Sequence, residues 1–590
     1  MNELGVPFQL TSVDGVPCFW ADLPGPCHAG LLFRVGRADE TLPTAGLTQL
    51  VQRLAYADGA VDSVITSFQA EVERPALAGF FEEVCHALGA LPLDGLATER
   101  RVLSVEHERE DPGLPDRMLM MRFGAARHGL SFYEPMGVRW LEPAHVADWG
   151  RRWFTRGNAA VWMTCPPPTG LRLPLPEGGR AVPPEPQPIP GLELPSFAAA
   201  GHGLTAATML GRRTAALTVA VRAVAERLRN ADHPVASWQL PLTADVSHRF
   251  LAVEGDGGAA ALDRALESVA ADGPARGELE EAVAFAVQGV TADDAAAAGL
   301  ERMAVEELLG APRRWKEDLV REAQSASYAE AAAALREALG SQILLAPVDA
   351  PKPSERFADY PWFSRDRVQG SELKPVDRSP VRLVVSQEGV SHVARDAGHA
   401  STVRFPDVAA ALQERDGSLT LIGRDGAIVG LDVRLFKGAD RVVADLERSL
   451  PPELIVPPRD TNALERVARN KLRPQVLGTQ SLRLLTQLIE HDEVVVNMAE
   501  ATVGYKWGLL ALTDRRVIFA TQGPRHPVVR ELPYADVLGV TLARVPSQMV
   551  TLRSPVGETA FAQITPKERA PELAAEIEHR AAAVAGGGPQ

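Results

Sequence analysis

The stretch ETLPTAGLTQLVQRLAY, residues 40–56, decides how the N-terminal part of this chain is interpreted. Its apolar residues recur at helical spacing and predict an amphipathic helix over residues 44–57. They are Leu47, Leu50, Val51 and Leu54. Gln49, Gln52 and Arg53 form one polar stripe on the opposite side. A helix with one face in water has such a stripe, so the pattern alone indicates only a surface helix.

Length and charge narrow the class of protein. The chain has 590 residues, enough for about four domains at roughly 150 residues each. Its net charge of -15 argues against nucleic acid as a partner, because phosphate binding requires a basic face. There is no lysine-rich run to hold the chain on a membrane.

The N-terminal residues MNELGVPFQLTSVDG lack the basic segment and apolar core of a secretory signal, and no later apolar run is long enough to span a bilayer. We therefore expect a cytoplasmic protein. The four cysteines are too few and too irregularly spaced for a disulfide framework, and we expect buried thiols. They are Cys18, Cys27, Cys85 and Cys165. Cys27-His28 and Cys85-His86 lack the usual spacer of a zinc site, so no metal is expected there.

Proline marks the domain boundaries. Residues 166–195 contain 11 prolines in 30 positions, which predicts an extended linker without helix or central strand. The remaining boundaries follow from shorter proline breaks, and the predicted domains are 1–165, 196–350, 360–455 and 463–585. Periodicity in the second domain predicts amphipathic helices over residues 214–229 and 260–273. The predicted fold class is α+β.

The last two domains resemble one another. Residues 382–433 and 508–564 each read as short strands separated by turns, and each is followed by a helix. VRFPDVAAA (403–411) and RELPYADVLGV (530–540) lie at matching places. The sequence therefore predicts a duplicated module.

LTDRRVIFA (512–520), the later LPYADVLGV and the closing helix resemble bacterial pleckstrin-homology-like domains, and residues 382–450 resemble a more divergent copy. The resemblance implies two small β-barrels, each closed by a C-terminal helix and each a binding platform. Basic side chains in the last domain could face a lipid headgroup, but acidic residues nearly equal basic ones there. Membrane lipid is therefore a less favoured partner than protein. The basic residues are Lys506, Arg515, Arg516, Arg525 and Arg530.

Residues 1–346 resemble one half of an insulinase or pitrilysin-type zinc peptidase, of the inverzincin group. The resemblance rests on LLFRVGRADETLPTAGLTQLVQRLAY (31–56), ERRVLSVE (99–106), LEPAHVADWGRRWFTRGNAAVWMT (141–164) and the stretch 308–348. It implies two peptidase-like α/β domains that form one half-clamshell. The interval between Arg53 and Glu106 is shorter than in that family, which implies that a helix and loop of the active-site wall are missing.

The chemistry of that family is not conserved in this sequence. Its helix carries H-x-x-E-H, in which two imidazoles bind zinc and the glutamate activates water; the corresponding residues here are Gln49, Gln52 and Arg53. An amide is a very poor zinc ligand, and a guanidinium offers no lone pair. Glu106 lies at the place of the third ligand but cannot hold zinc alone. We therefore predict a pseudopeptidase with no metal, cofactor or catalytic residue.

The second domain of that family uses an arginine and a tyrosine to hold substrate backbone. Arg229 matches the arginine, whereas Ala236 stands where the tyrosine is expected. Arg229 is therefore a weak candidate for substrate binding.

Three functions are compatible with this reading. The favoured one is a non-catalytic subunit that pairs with an active zinc peptidase homologue or with a second copy of itself. The alternative is a stand-alone interaction scaffold whose pleckstrin-homology-like domains recruit a protein or a membrane. An active enzyme would need another catalytic set. The best remaining pair, Glu106 and His107, consists of neighbours whose side chains diverge.

Overall fold

The computed structural model of the protein divides the chain into two compact units, residues 1–103 with 112–458 and residues 104–111 with 459–590. The structure describes residues 7–109, 112–201, 204–255, 257–292, 295–362, 366–376, 381–394, 399–414, 416–458, 467–468, 471–473, 476, 480–489, 493–504, 506–522, 527–543, 549–555, 557–565 and 569–585.

The first domain is built on a six-stranded sheet of order β1-β2-β6-β3-β5-β4, in which β2 and β6 are parallel and the other pairs antiparallel. Its strands are β1 (Gln9–Val13), β2 (Val16–Trp20), β3 (Cys27–Phe33), β4 (Gly59–Val61), β5 (Thr66–Val72) and β6 (Ala159–Met163). The helices in this part of the chain are α1 (Leu47–Ala55), α2 (Leu77–Gly89), α3 (Leu96–Arg109), α4 (Leu114–Phe123) and α5 (Pro143–Trp153). The helix predicted over residues 44–57 is confirmed by α1, whose four apolar residues join the core of this domain.

The second domain has a sheet of the same size, of order β12-β7-β11-β8-β10-β9. Its strands are β7 (Ser196–Gly201), β8 (Leu204–Arg212), β9 (Val235–Pro241), β10 (Val246–Glu254), β11 (Ile343–Pro347) and β12 (Ala358–Asp359). Its helices are α6 (Ala215–Arg229), α7 (Gly258–Asp272), α8 (Arg276–Thr291), α9 (Ala295–Leu309), α10 (Lys316–Ser325) and α11 (Tyr328–Leu339). The helices predicted over residues 214–229 and 260–273 are confirmed by α6 and α7. Thr214 caps α6, because its hydroxyl accepts a hydrogen bond from the amide of Leu217.

The proline-rich segment is extended, as predicted: residues 166–195, all of which the structure describes, contain no helix or strand. It is not a free spacer, however. Leu171, Leu173 and Leu175 are buried in the core of the first domain. The Asp14 carboxylate accepts hydrogen bonds from the amide of Leu173 (2.7 Å) and from Nε of Arg172 (2.9 Å). The segment is therefore packed against the first domain, because burial of its leucine side chains removes apolar surface from water.

The third segment consists of two four-stranded sheets and a helix. The sheets have the orders β13-β14-β15-β16 and β19-β18-β17-β20, and the helix α12 (Ala439–Ser449) buries Ala439, Val443 and Leu446 in their shared core. The strands are β13 (Ser371–Leu373), β14 (Val381–Val385), β15 (Gly389–Ala394), β16 (Ala400–Arg404), β17 (Val408–Gln413), β18 (Leu419–Gly423), β19 (Ile428–Leu431) and β20 (Ile455–Val456).

The second unit holds a seven-stranded sheet of order β24-β23-β22-β21-β27-β26-β25 and two described helices, α13 (Gln480–Leu488) and α14 (Arg569–Ala585). Leu573 and Ile577 of α14 are buried in the core of this sheet. The strands are β21 (Val495–Val503), β22 (Lys506–Thr513), β23 (Arg516–Gln522), β24 (Pro527–Pro533), β25 (Gly539–Ala543), β26 (Met549–Ser554) and β27 (Gly557–Thr565).

The element order of β13 to α12 is repeated from β21 to α14. Each segment has four strands, a 3-10 turn, three strands and a helix. The turns are Phe405–Asp407 and Tyr534–Asp536, which fall on the two sequence stretches that match. The expected closed barrels are not found among the residues that the structure describes, where the strands form open sheets.

No single helix within the described ranges is long and apolar enough to cross a membrane. One bent pair of helices, Arg74–Gly89 with Leu93–Ser104, has the length and composition of a membrane span by those two criteria only.

Candidate functional site

Helix α1 is held at its N-terminus by a buried carboxylate. Glu40 accepts hydrogen bonds from the amides of Gly46 (2.9 Å) and Thr48 (2.6 Å), which are among the donors that a helix leaves unsatisfied at its start. Burial raises the pKa of Glu40 to about 7, against the opposing effect of these bonds. Glu40 lies within residues 40–56, but the helical period of that stretch does not indicate its role.

Gln52 closes the other end of α1. Its side chain is only 4% exposed, and its Nε2 donates to the backbone carbonyls of Tyr56 (2.7 Å) and Ala57 (3.4 Å). These carbonyls lie just past the last helical residue, where acceptors lack helical partners. The reading of this side as a solvated face is therefore wrong for Gln52: the side chain is buried and caps the helix. Gln49 is half-buried on the same helix.

Arg53 is bound to a carboxylate from another helix. Its Nε lies 2.7 Å from Oε2 of Glu99 in α3, and about a quarter of each side chain is exposed. The Arg53 guanidinium is thus neutralised by an acid and joins α1 to α3. Because both side chains are partly exposed to water, the pair contributes about as much to the free energy of unfolding as an ordinary surface ion pair.

Glu106 lies on α3, seven residues after Glu99, and is exposed. His107 follows it on the same helix and is half-buried. Consecutive helical residues point about 100° apart, so the two side chains diverge as the sequence predicted.

The donor chemistry of α1 does not fit zinc. A zinc ligand must offer a lone pair, but the Gln52 nitrogen donates its hydrogens to carbonyls and the Arg53 guanidinium has no lone pair to offer. Within the described ranges, no three His, Cys, Asp or Glu side chains come together in an arrangement that could hold a metal ion.

Arg229, the candidate for substrate binding, is the last residue of α6. Its guanidinium lies 2.8 Å from Oε1 of Glu226, one turn earlier on the helix. Ala236 is an exposed residue of β9 and pairs with Ala252 of β10. Arg229 is thus held by its own helix.

Two cysteines behave as predicted and two do not. Cys18 and Cys85 are buried thiols, and burial raises the pKa of each to about 12, so they are inert at neutral pH. Cys27 and Cys165 form a disulfide, which the sequence analysis did not predict. The two residues lie close because β3 and β6 are neighbours in the first sheet.

The basic residues of the last domain are in part already bound. Arg516 pairs with Glu493 (2.7 Å) and with Glu531 (2.5 Å). Nη1 of Arg530 donates to the carbonyl of Val529, and Lys506 is exposed at the start of β22. Arg525 lies outside the described residues. Arg516 is therefore a structural residue of its domain and not a headgroup ligand.

The structure also contains a cavity of about 560 Å³ that both six-stranded domains line. The sequence analysis did not predict it, since its walls come from segments far apart in the chain.

No protein-family model matches the sequence, and a search of curated proteins finds no match. Among solved structures, the chain is similar to a peptidase M16 inactive domain from Pseudomonas fluorescens, with 15% identity, a TM-score of 0.47, and 59% of this chain and 100% of that chain covered. A protease from Helicobacter pylori is similar at 14% identity and a TM-score of 0.47, over 58% of this chain and 100% of that one. The first half of the periplasmic protease PqqL from Escherichia coli gives 12% identity and a TM-score of 0.45, over 60% and 94%. Likeness at this level carries no conclusion about activity.

Proposed function

We propose that the protein is a catalytically inactive, metallopeptidase-like subunit that pairs with an active zinc peptidase homologue. One observation carries the inactive part of the proposal. At the positions where a zinc peptidase needs a base and a second imidazole, this chain has a buried amide that donates to backbone carbonyls and a guanidinium paired with Glu99. A neutral amide is not a general base and is a very poor zinc ligand, and a guanidinium can do neither task.

The pairing rests on architecture. The resemblance in the sequence implies a family that builds its chamber from two halves, each of two α/β domains, and this chain supplies two six-stranded domains. The missing half would come from a homologue that keeps the H-x-x-E-H helix. The repeated segments from β13 and from β21, which we assign as pleckstrin-homology-like domains, would hold the pair or a further protein.

The test is to purify the tagged full-length chain from its native host, identify the proteins that accompany it by mass spectrometry, and determine zinc on the same eluate. A homologue with an intact H-x-x-E-H and about one zinc per pair is the expected result. A zinc-free eluate without such a homologue would overturn the pairing.

The stand-alone scaffold predicts a different eluate. It would contain self-association or an unrelated protein, and no zinc peptidase. A control purification that uses a chain truncated after residue 458, which retains the whole of the first unit, shows which unit recruits the partner.

The compartment is where sequence and structure disagree. The cytoplasm is the expected compartment, whereas a disulfide such as Cys27–Cys165 is rare in cytosolic proteins and common in oxidising compartments. The two compartments can be distinguished by lysing host cells directly in a denaturant that contains an alkylating reagent. Mass spectrometry then identifies the cysteines that were free thiols in the cell. All four cysteines should be alkylated if the protein is cytoplasmic. Alkylation of Cys18 and Cys85 alone would contradict that localisation.

A further inference from the structure

The cavity between the two six-stranded domains has a volume of about 560 Å³, within the range of small-molecule sites. The first domain contributes the segment from Asp62 to Ser67, and the second contributes parts of β9, β10, α6, α8, α9 and α10. Much of the wall is apolar. The larger apolar side chains are Val64, Ile65, Leu240, Phe285, Val305 and Leu319.

Arg249 of β10 is the unusual residue in this wall. It is only 5% exposed, and its guanidinium binds two hydroxyl groups, Ser247 Oγ (3.0 Å) and Thr218 Oγ1 (3.2 Å). Its third nitrogen, Nη1, makes no hydrogen bond to the part of the chain that the structure describes. Burial and, to a smaller extent, the nearby charge of Arg213 lower the pKa of Arg249 to about 10. A buried guanidinium without a carboxylate is costly, because neutral hydroxyls do not balance its charge.

Two glutamates of this wall already pair with other arginines, so neither is left to pair with Arg249. Glu306 is buried and binds Arg302 (2.9 Å), Arg314 (2.9 Å) and Arg213 (3.3 Å). Glu322 lies 3.7 Å from Arg314. Four arginines and two glutamates therefore leave an excess of positive charge on this side of the cavity.

Two further carboxyl groups line the cavity, Asp62 and Glu301. Burial raises the pKa of both, and the charge of Asp62 raises the pKa of Glu301 further. Neither is hydrogen-bonded to Arg249, whose partners in the described part of the chain are hydroxyls, and Glu301 instead accepts a hydrogen bond from Nε2 of Gln69 (2.7 Å).

We propose that this cavity binds a small organic carboxylate with an apolar body, whose carboxylate pairs with Arg249 while its hydrocarbon part lies against the apolar wall. The carboxylate would supply the anion that the protein does not, and guanidinium–carboxylate bonds are among the strongest available to a buried arginine. The inference is independent of whether the protein pairs with a peptidase.

The probe is octanoate, with octanamide as the neutral ligand of the same shape. Calorimetric titration of the full-length chain should show that octanoate binds at least about tenfold more tightly than octanamide. Arg249→Met should remove this preference. Arg276→Met, which removes an exposed arginine at the start of α8, should leave it unchanged. N-acetyl-trileucine with a free or an amidated C-terminus tests in the same way whether the carboxylate of an apolar peptide also binds.

Equal binding of octanoate and octanamide would overturn the proposal, as would the absence of octanoate binding up to about 10 mM. Retention of the preference in Arg249→Met would do so as well. If Arg249→Met does not fold, Arg249→Lys answers the question: the charge is kept but the forked geometry is lost, so the preference should shrink and not vanish.

Discussion

Helix α1 and the wall around Arg249 both bury polar groups, but they do so in opposite ways. Around α1, each buried group has a partner of matching chemistry: Glu40 receives two amides, and Gln52 gives its hydrogens to two carbonyls. In the cavity, Arg249 has only hydroxyl partners. The first region is complete without a ligand, whereas the second has an unbalanced charge.

The difference separates structural residues from candidate binding residues. Buried polar groups are normally satisfied, so a satisfied group needs no function to explain it and an unbalanced one does. The polar groups of the α1 region therefore stabilise the fold.

Replacing Arg34 with Ala should destabilise the protein by about 3–5 kcal/mol, because it leaves the buried Asp39 without its cation. The two side chains make a bidentate pair at 2.6 and 2.9 Å and are almost fully buried. Arg74 and Asp22 form a half-exposed pair at 2.7 Å, so Arg74→Ala is the matched control and should cost about 0–1 kcal/mol. Urea unfolding measures both, and equal losses would contradict the account.

Glu40→Gln should change how stability depends on pH. Because the pKa of Glu40 is raised from 4.5 to about 7 in the folded chain, the folded state holds this proton between these two values and the unfolded state does not. The contribution of Glu40 is therefore greatest below pH 4.5 and falls by up to about 3 kcal/mol as the pH rises through 7. The stability difference between parent and Glu40→Gln, followed by urea unfolding from pH 4.5 to 8, should show this slope. A constant difference would show that Glu40 ionises normally.

Gln52→Glu should cost about 1–3 kcal/mol, because a carboxylate would face the carbonyls of Tyr56 and Ala57 at the negative end of the helix. Gln49→Glu makes the same change at a half-buried position of the same helix. It is the control and should cost less than about 1 kcal/mol. Thermal or urea unfolding at pH 8 compares them. If the two variants are equally stable, Gln52 is not a cap.

Arg249→Met should change stability by no more than about 1 kcal/mol, or raise it, since the variant no longer buries an unbalanced charge. The contrast with Arg34→Ala is the sharpest form of the comparison: both arginines are buried, but only Arg34 has a carboxylate. A loss as large as that of Arg34→Ala in ligand-free buffer would mean that Arg249 is structural.

The sequence predicted what depends on local pattern. The spacing of Leu47, Leu50, Val51 and Leu54 identified α1, and the prolines of residues 166–195 excluded regular structure there. The same order of strands, 3-10 turn and helix along the two segments also agrees with the repeat predicted from VRFPDVAAA and RELPYADVLGV. The resemblance to pleckstrin-homology-like domains implied closed barrels, and these were not found in the described residues.

What the sequence missed depends on segments far apart in the chain. Gln52 is an exception, because its partners lie only four and five residues further on, but the helical period does not report that the side chain turns back to cap the helix. Cys27 and Cys165 are 138 residues apart and meet only because two strands are neighbours. The isolation of Arg249 likewise depends on which acids other elements bring near it, and no motif in the chain signals this.

The most direct test of the central claim is zinc binding by the purified full-length chain. The protein is incubated with excess Zn²⁺ and dialysed, its metal is measured by mass spectrometry, and an intact H-x-x-E-H peptidase is carried through the same steps as a control. The account predicts less than about 0.1 zinc per chain for this protein and about one for the control. About one zinc retained per chain, lost on Glu106→Ala, would contradict it and show that the site is still a metal site.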